Sequence, residues 1–152
     1  MTTTSDELRT VIVSRARMNV ATLDYRRSLK RASAAGYSQS AIARTVRISQ
    51  PSVSEALHRA SGLMDIPEGF AGAGPYEICQ RYTAGELERD EVVAQLARWS
   101  YTPDVRSEVL ADPLRVDQPG GWGEVESALD DGLIDDELVD AVQAEQERLG
   151  LD

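Results

Sequence analysis

Tyr37-Ser-Gln-Ser-Ala-Ile-Ala-Arg-Thr-Val-Arg-Ile-Ser-Gln-Pro-Ser-Val-Ser-Glu-Ala-Leu-His-Arg59 holds two short helical patterns separated by a break. Ser38 offers a side-chain oxygen to cap the first, whose Ala41, Ile42, Thr45 and Val46 are spaced for one buried face. Arg47-Ile48 interrupts that spacing. Ser49 or Gln50 caps the second pattern, and Pro51 falls in the first turn, where a missing N–H costs nothing. Val53, Ala56 and Leu57 form its apolar face. Ala43 is small, as two closely crossing helices require, and Ile48 is placed to plug the gap at the turn.

Over Gln39 to His58 this stretch resembles the helix-turn-helix family of DNA-binding proteins, with Leu23–Ala34 similar to the preceding support helix. The small residue, the apolar turn residue and the apolar face residue of that motif correspond to Ala43, Ile48 and Val53. In the family the second helix enters the major groove and its first residues read base edges. The chain departs from the pattern at Arg47, where glycine is common because the turn needs a left-handed backbone; a non-glycine residue adopts that conformation at some cost.

The resemblance implies a sequence-specific transcriptional regulator, dimeric on a two-fold double-stranded DNA operator. It implies Gln50, Ser52, Ser54, Glu55 and His58 as base-reading residues. Gln pairs bidentately with adenine, Ser accepts several partners, and Glu accepts from cytosine, although Glu55 is equally placed to orient Arg59. Phosphate contacts fall to Arg26, Arg27, Lys30, Arg31, Arg44, Arg47 and Arg59, with backbone amides at the Ser38 and Ser49 helix starts. The competing reading of the same residues is a pair of amphipathic helices with an ordinary solvated basic face.

Charge distribution bears on that choice. The 152 residues carry a net charge of −10, which taken whole argues against nucleic acid, because acidic surfaces repel phosphate. The charge is not evenly spread. Residues 1–63 hold ten basic and four acidic side chains, a net of +6; residues 64–152 hold six basic and 22 acidic, a net of −16. The first half suits phosphates and the second would repel them.

Other features exclude whole classes of function. One Cys (Cys79) and one His (His58) preclude a disulfide framework and multi-Cys or two-His metal sites. The single Lys follows no glycine-rich loop, so there is no P-loop. The run Asp130-Asp-Gly-Leu-Ile-Asp-Asp-Glu137 fails the calcium-loop pattern, and Gly72-Ala-Gly74 reads as linker. No nucleophile–base pair is discernible, and neither an enzyme nor a cofactor is expected. The start of the chain lacks a signal-peptide pattern, and no stretch reaches the roughly 18 apolar residues of a membrane span. A soluble, cytoplasmic protein is expected, with no membrane partner.

The pattern predicts an all-α protein: a helix-turn-helix domain over residues 1–63, a linker over residues 64–75 rich in Gly and Pro, and an acidic helical domain over residues 76–152. Helices are expected over Asp6–Met18 and Leu23–Ala34, over Tyr76–Tyr82 and Asp90–Trp99, and over Trp122–Leu129 and Asp135–Leu149. A weak extended piece falls at Leu114–Val116, and no internal repeat is visible.

In the acidic half Val92, Val93, Leu96 and Trp99 recur at helical spacing. Trp99, Tyr101 and Trp122 read most simply as core, with partner anchoring as the alternative. The run Tyr82-Thr-Ala-Gly-Glu86 is similar to the tails of small bacterial antitoxins. That resemblance implies that this half binds a protein partner, a toxin, in a protein that represses its own operon; Tyr82 and Glu86 from the matching run, with the aromatic anchors Trp99, Tyr101 and Trp122, are the partner-binding candidates. An acidic module favours capture of a basic partner; acids serving solubility alone are the plainer account. The alternatives are a dimeric repressor without a toxin and a DNA-binding structural or segregation adaptor.

Overall fold

The computed structural model describes residues 5–103 and 119–151. Seven helices make up these residues: α1 (Asp6–Ala34), α2 (Gln39–Val46), α3 (Gln50–Ala60), α4 (Pro75–Thr83), α5 (Arg89–Arg98), α6 (Gly123–Asp130) and α7 (Asp136–Leu149). The all-α expectation holds among the described residues. The extended piece expected at Leu114–Val116 lies outside them.

One 29-residue helix stands where two were expected at the start of the chain. The stretch between the two expected helices, Asn19-Val-Ala-Thr22, contains neither Gly nor Pro. Val20 is buried, and the Thr22 hydroxyl donates back to the Met18 carbonyl at 2.9 Å. Nothing local stops the helix until Gly36, whose φ of 97° turns the chain.

The chain divides into two units, residues 18–65 and residues 1–17 with 66–152. The first seventeen residues therefore group with the acidic helices, whereas the sequence reading places them with the helix-turn-helix segment.

In the unit of residues 18–65, Leu29, Ile42, Ala43 and Val53 form the core, with Ala32, Ala56 and Leu57 packed against it. Ala43 is 4% exposed, as the small residue at the crossing should be. The last turn of α2 behaves differently from expectation. Thr45 is exposed, and Val46 and Ile48 are 44% and 39% exposed. Ile48 does not plug the turn, and the buried face of α2 is Ile42 and Ala43. The short helix buries one turn of its apolar side, against Leu29 of α1 and Val53 of α3. After α3 the chain is pinned back on α1, where Lys30 Nζ donates to Leu63 O at 2.9 Å and Arg27 Nη2 to Met64 O at 3.3 Å.

The acidic unit contains a repeat that the sequence conceals. α4 and α5 form a hairpin around Gly85, and α6 and α7 form a second around Gly132, with φ of 92° and 76°. The hairpin turns share one hydrogen-bond pattern. Ala84, Gly85 and Glu86 donate to the carbonyls of Gln80, Tyr82 and Arg81; Asp131, Gly132 and Leu133 donate to those of Ser127, Leu129 and Ala128. Glu88 and Asp135 then cap the second helix of each hairpin. Corresponding helices pack on each other, α4 on α6 and α5 on α7. Ile78, Val92 and Leu96 of one hairpin and Val125, Leu138 and Val142 of the other are fully buried. The two hairpins share few identical residues, and their cores need only apolar side chains of suitable volume.

α1 touches both hairpin turns within this unit. Arg9 Nη1 donates to Gly132 O at 2.6 Å and Arg17 Nε to Ala84 O at 3.3 Å. The Gly- and Pro-rich segment before α4, expected as a linker, also folds onto the unit. Phe70 meets Trp99 edge-on at 4.9 Å, and Ala71 N–H donates to Gln95 Oε1 at 2.8 Å. Gly72 is needed for close approach there: a Cβ on it would come to 2.9 Å from Ile78 N.

Candidate nucleic-acid interface

Two serine caps and one strained residue set the geometry of α2 and α3. Ser38 (φ −71°, ψ 155°) and Ser49 (φ −73°, ψ 151°) both lie in extended backbone. Ser38 Oγ accepts from Ala41 N–H at 3.1 Å, and Ser49 Oγ accepts from Ser52 N–H at 3.2 Å. Between them Arg47 adopts the left-handed conformation, φ 58° and ψ 46°, and its N–H donates to the Ala43 carbonyl. Arg47 thus takes the left-handed backbone that glycine commonly supplies, at a cost of about 1 kcal/mol.

α3 then divides into sides by its 3.6-residue period. Val53 and Ala60 face the core and are fully buried. Pro51, Ser54, Glu55 and His58 share the opposite side, where Ser54 is half-buried and the others are exposed. Gln50 is exposed on one flank, and its Nε2 donates to Gln39 Oε1 at 2.5 Å. Gln39 was not among the residues singled out from sequence. Its only signal is an amide side chain at the first position of α2, matching the one at the first position of α3. Ser52 Oγ lies 2.7 Å from Ser49 Oγ. Glu55 pairs with Arg59 at 2.8 Å, so this carboxylate does orient Arg59 in the free protein.

The basic residues separate into two groups. Arg31, Arg44, Arg47 and Arg59 are exposed, and Arg26 is half-buried along α1. Arg27 is different: it is 8% exposed, and its guanidinium serves the Met64 carbonyl. Lys30 is half-buried and serves Leu63. These two hold the chain leaving α3, and of the basic side chains expected to meet phosphate only that of Arg27 is buried. Residues 18–65 keep seven basic against three acidic side chains, and the other unit holds nine against 23.

A cleft of about 270 Å³ lies between α1 and α3, lined by Thr22, Tyr25 and Arg26 from α1 and by Ser52, Glu55, Ala56 and Arg59 from α3.

In the acidic unit the residues assigned to a partner are mostly occupied internally. Trp99 packs on Phe70 and donates from Nε1 to Gly120 O at 3.3 Å. Tyr101 meets Trp122 edge-on at 5.1 Å and donates to Leu96 O at 2.6 Å; burial raises its phenol well above the usual range. Tyr82 is half-buried. Glu86 is exposed and accepts from Arg81 Nη1 at 3.0 Å. Arg81 also pairs with buried Glu77 at 3.0 Å.

The remaining singled-out residues have structural work. Cys79 is fully buried, and burial, reinforced by Glu124, pushes its thiol up to about 12. In the Asp-rich run Asp131 accepts from Tyr76 OH at 2.6 Å and Asp135 caps α7. Among the described residues no helix is long and apolar enough to cross a membrane.

The chain matches no protein-family model, no curated protein and no solved structure.

Proposed function

We propose that the unit of residues 18–65 binds double-stranded DNA by inserting α3 into the major groove, and that the protein is a homodimeric transcriptional regulator. The observation that carries this reading is the capped α2–α3 pair, joined by a three-residue turn through left-handed Arg47. It leaves one side of α3 open to present short polar side chains near its start, beside exposed arginines. A helix held in this way fits a groove about 12 Å wide. Gln50, Ser54 and His58 are the base readers, and Arg26, Arg31, Arg44, Arg47 and Arg59 meet phosphates.

The acidic unit is assigned a basic protein partner, as in an antitoxin that represses its own operon. Its support is the exposed acidic side chains on and beside α5 and α7, among them the N-cap Glu88, Asp90, Glu91, Asp136, Glu137 and Asp140. With Trp99, Tyr101 and Trp122 engaged internally, such a partner docks through charge more than through aromatic anchors. The plain repressor is the same reading without this partner.

Footprinting on the DNA upstream of the protein's own gene tests the DNA-binding reading: protection of a two-fold site is expected, and none on any genomic fragment would overturn it. Purification from the native host tests the second part, where a stoichiometric basic partner is expected and its absence leaves the plain repressor.

A further inference from the structure

We propose that the cleft between α1 and α3 seats the sugar-phosphate backbone of one DNA strand, the strand that borders the groove entered by α3. This rests on the DNA-binding reading above. The open side of α3 has two flanks. The Gln39–Gln50 pair forms one, and the cleft forms the other. A helix fills the width of the major groove, so each flank of α3 meets one of the two strands.

The chemistry of the cleft suits a deoxyribose-phosphate unit better than a bare ion. Ala56 and the ring of Tyr25 supply apolar surface for the sugar, and Arg26 and Arg59 supply charge for the phosphate. The two arginines are not equivalent. Among the described residues Arg26 makes no ion pair, whereas Arg59 is held by Glu55 at 2.8 Å. Glu55 therefore neutralises Arg59 in the free protein, and an arriving phosphate takes over the guanidinium. Glu55 acts here as a brake on phosphate binding, a different role from accepting a cytosine amino group.

Because phosphate contacts carry no sequence information, a random-sequence duplex of about 30 base pairs is a sufficient probe, titrated between about 50 and 200 mM NaCl. Arg26→Ala is expected to weaken binding about fivefold and to lower the slope of log K against log salt by about one. Glu55→Gln is expected to tighten binding a few-fold, since it frees Arg59. Arg148→Ala, on α7 and paired with Glu145, is the control and should change neither. Circular dichroism melts accompany each variant, and Arg26→Gln, which keeps a polar side chain without the charge, replaces Arg26→Ala should that variant fail to fold and is expected to lower the slope by the same amount.

Failure of the wild-type protein to bind the duplex at the lowest salt would sink the DNA-binding reading itself. Wild-type binding with an unchanged Arg26→Ala slope, or weaker binding by Glu55→Gln, would overturn the cleft assignment and leave the DNA-binding reading standing.

Discussion

Replacing Gln50 with alanine isolates the base-reading role of α3 from its folding. Gln50 is exposed and serves no cap, that task falling to Ser49, so the change in stability should stay within about 0.5 kcal/mol. The effect on affinity follows from hydrogen-bond arithmetic. An amide side chain has two N–H donors and one carbonyl acceptor. One Gln50 N–H is spent on Gln39 Oε1. The other N–H and the carbonyl remain, which is the pair that adenine requires in the major groove. Such a bidentate contact is worth about 1–3 kcal/mol, roughly 5- to 150-fold in affinity.

Gln39 contributes by holding that geometry, so Gln39→Ala should cost several-fold alone and almost nothing once Gln50 is gone. The assay is anisotropy titration at fixed salt, using a duplex selected from a random pool by the wild-type protein. The four-member cycle should show a coupling of about 0.5–1 kcal/mol. Wild-type affinity and sequence preference in the Gln50→Ala/Ser54→Ala double variant would refute the assignment of α3. Strict additivity of Gln39→Ala and Gln50→Ala would refute the coupling.

The acidic unit supports further tests. Arg81→Ala removes the guanidinium that pairs with the buried carboxylate of Glu77, leaves it the weaker hydrogen bond from Ala73 N–H, and should cost about 3 kcal/mol in chemical denaturation, whereas Arg148→Ala removes an exposed pair and should leave the midpoint nearly unchanged. Gly85→Ala and Gly132→Ala should each cost about 1 kcal/mol through their positive φ. Gly132→Ala should cost the more, because its Cβ would meet Ile12 Cδ1 at 3.4 Å, whereas Gly85 faces open space; equal thermal shifts would argue against that contact.

The Cys79 thiol, held up to about 12, should resist alkylation at neutral pH until the protein unfolds. The same shift makes stability fall with alkali. Above about pH 8.5 the unfolded thiol loses its proton while the folded one keeps it, so the melting temperature should decline between about pH 9 and the folded value. Cys79→Ala should flatten that decline below about pH 10; above it Tyr76 and Tyr101, whose phenols burial also raises, keep lowering the melting temperature.

Local signals were legible in the sequence because each is encoded within a few residues. Ser38 and Ser49 cap helices three residues ahead of the amides they accept from. Pro51 takes the first turn of α3, and Arg47 turns left-handed where the spacing breaks. The positions of α2 and α3, the start of α7 near Asp135 and the small Ala43 followed from the same short-range rules. What failed depended on distant neighbours. The exposure of Val46 and Ile48, the burial of Arg27 and the packing of Phe70 on Trp99 are set by which elements happen to lie opposite. The Gln39–Gln50 bond joins residues from two helices and has no local signature.

By itself the sequence determined the helical class, the two capped helices with their turn, and the division of charge between a basic and an acidic part. Backbone capping, helical period and Coulomb charge act over one or two turns, so they are readable in order along the chain. Tertiary structure alone decided that α1 and the Gly- and Pro-rich segment belong partly to the acidic unit, that two dissimilar hairpins share one architecture, and which arginines remain open. Burial is non-directional and depends on the area that another part of the chain covers, and spacing along the sequence does not record what that other part will be.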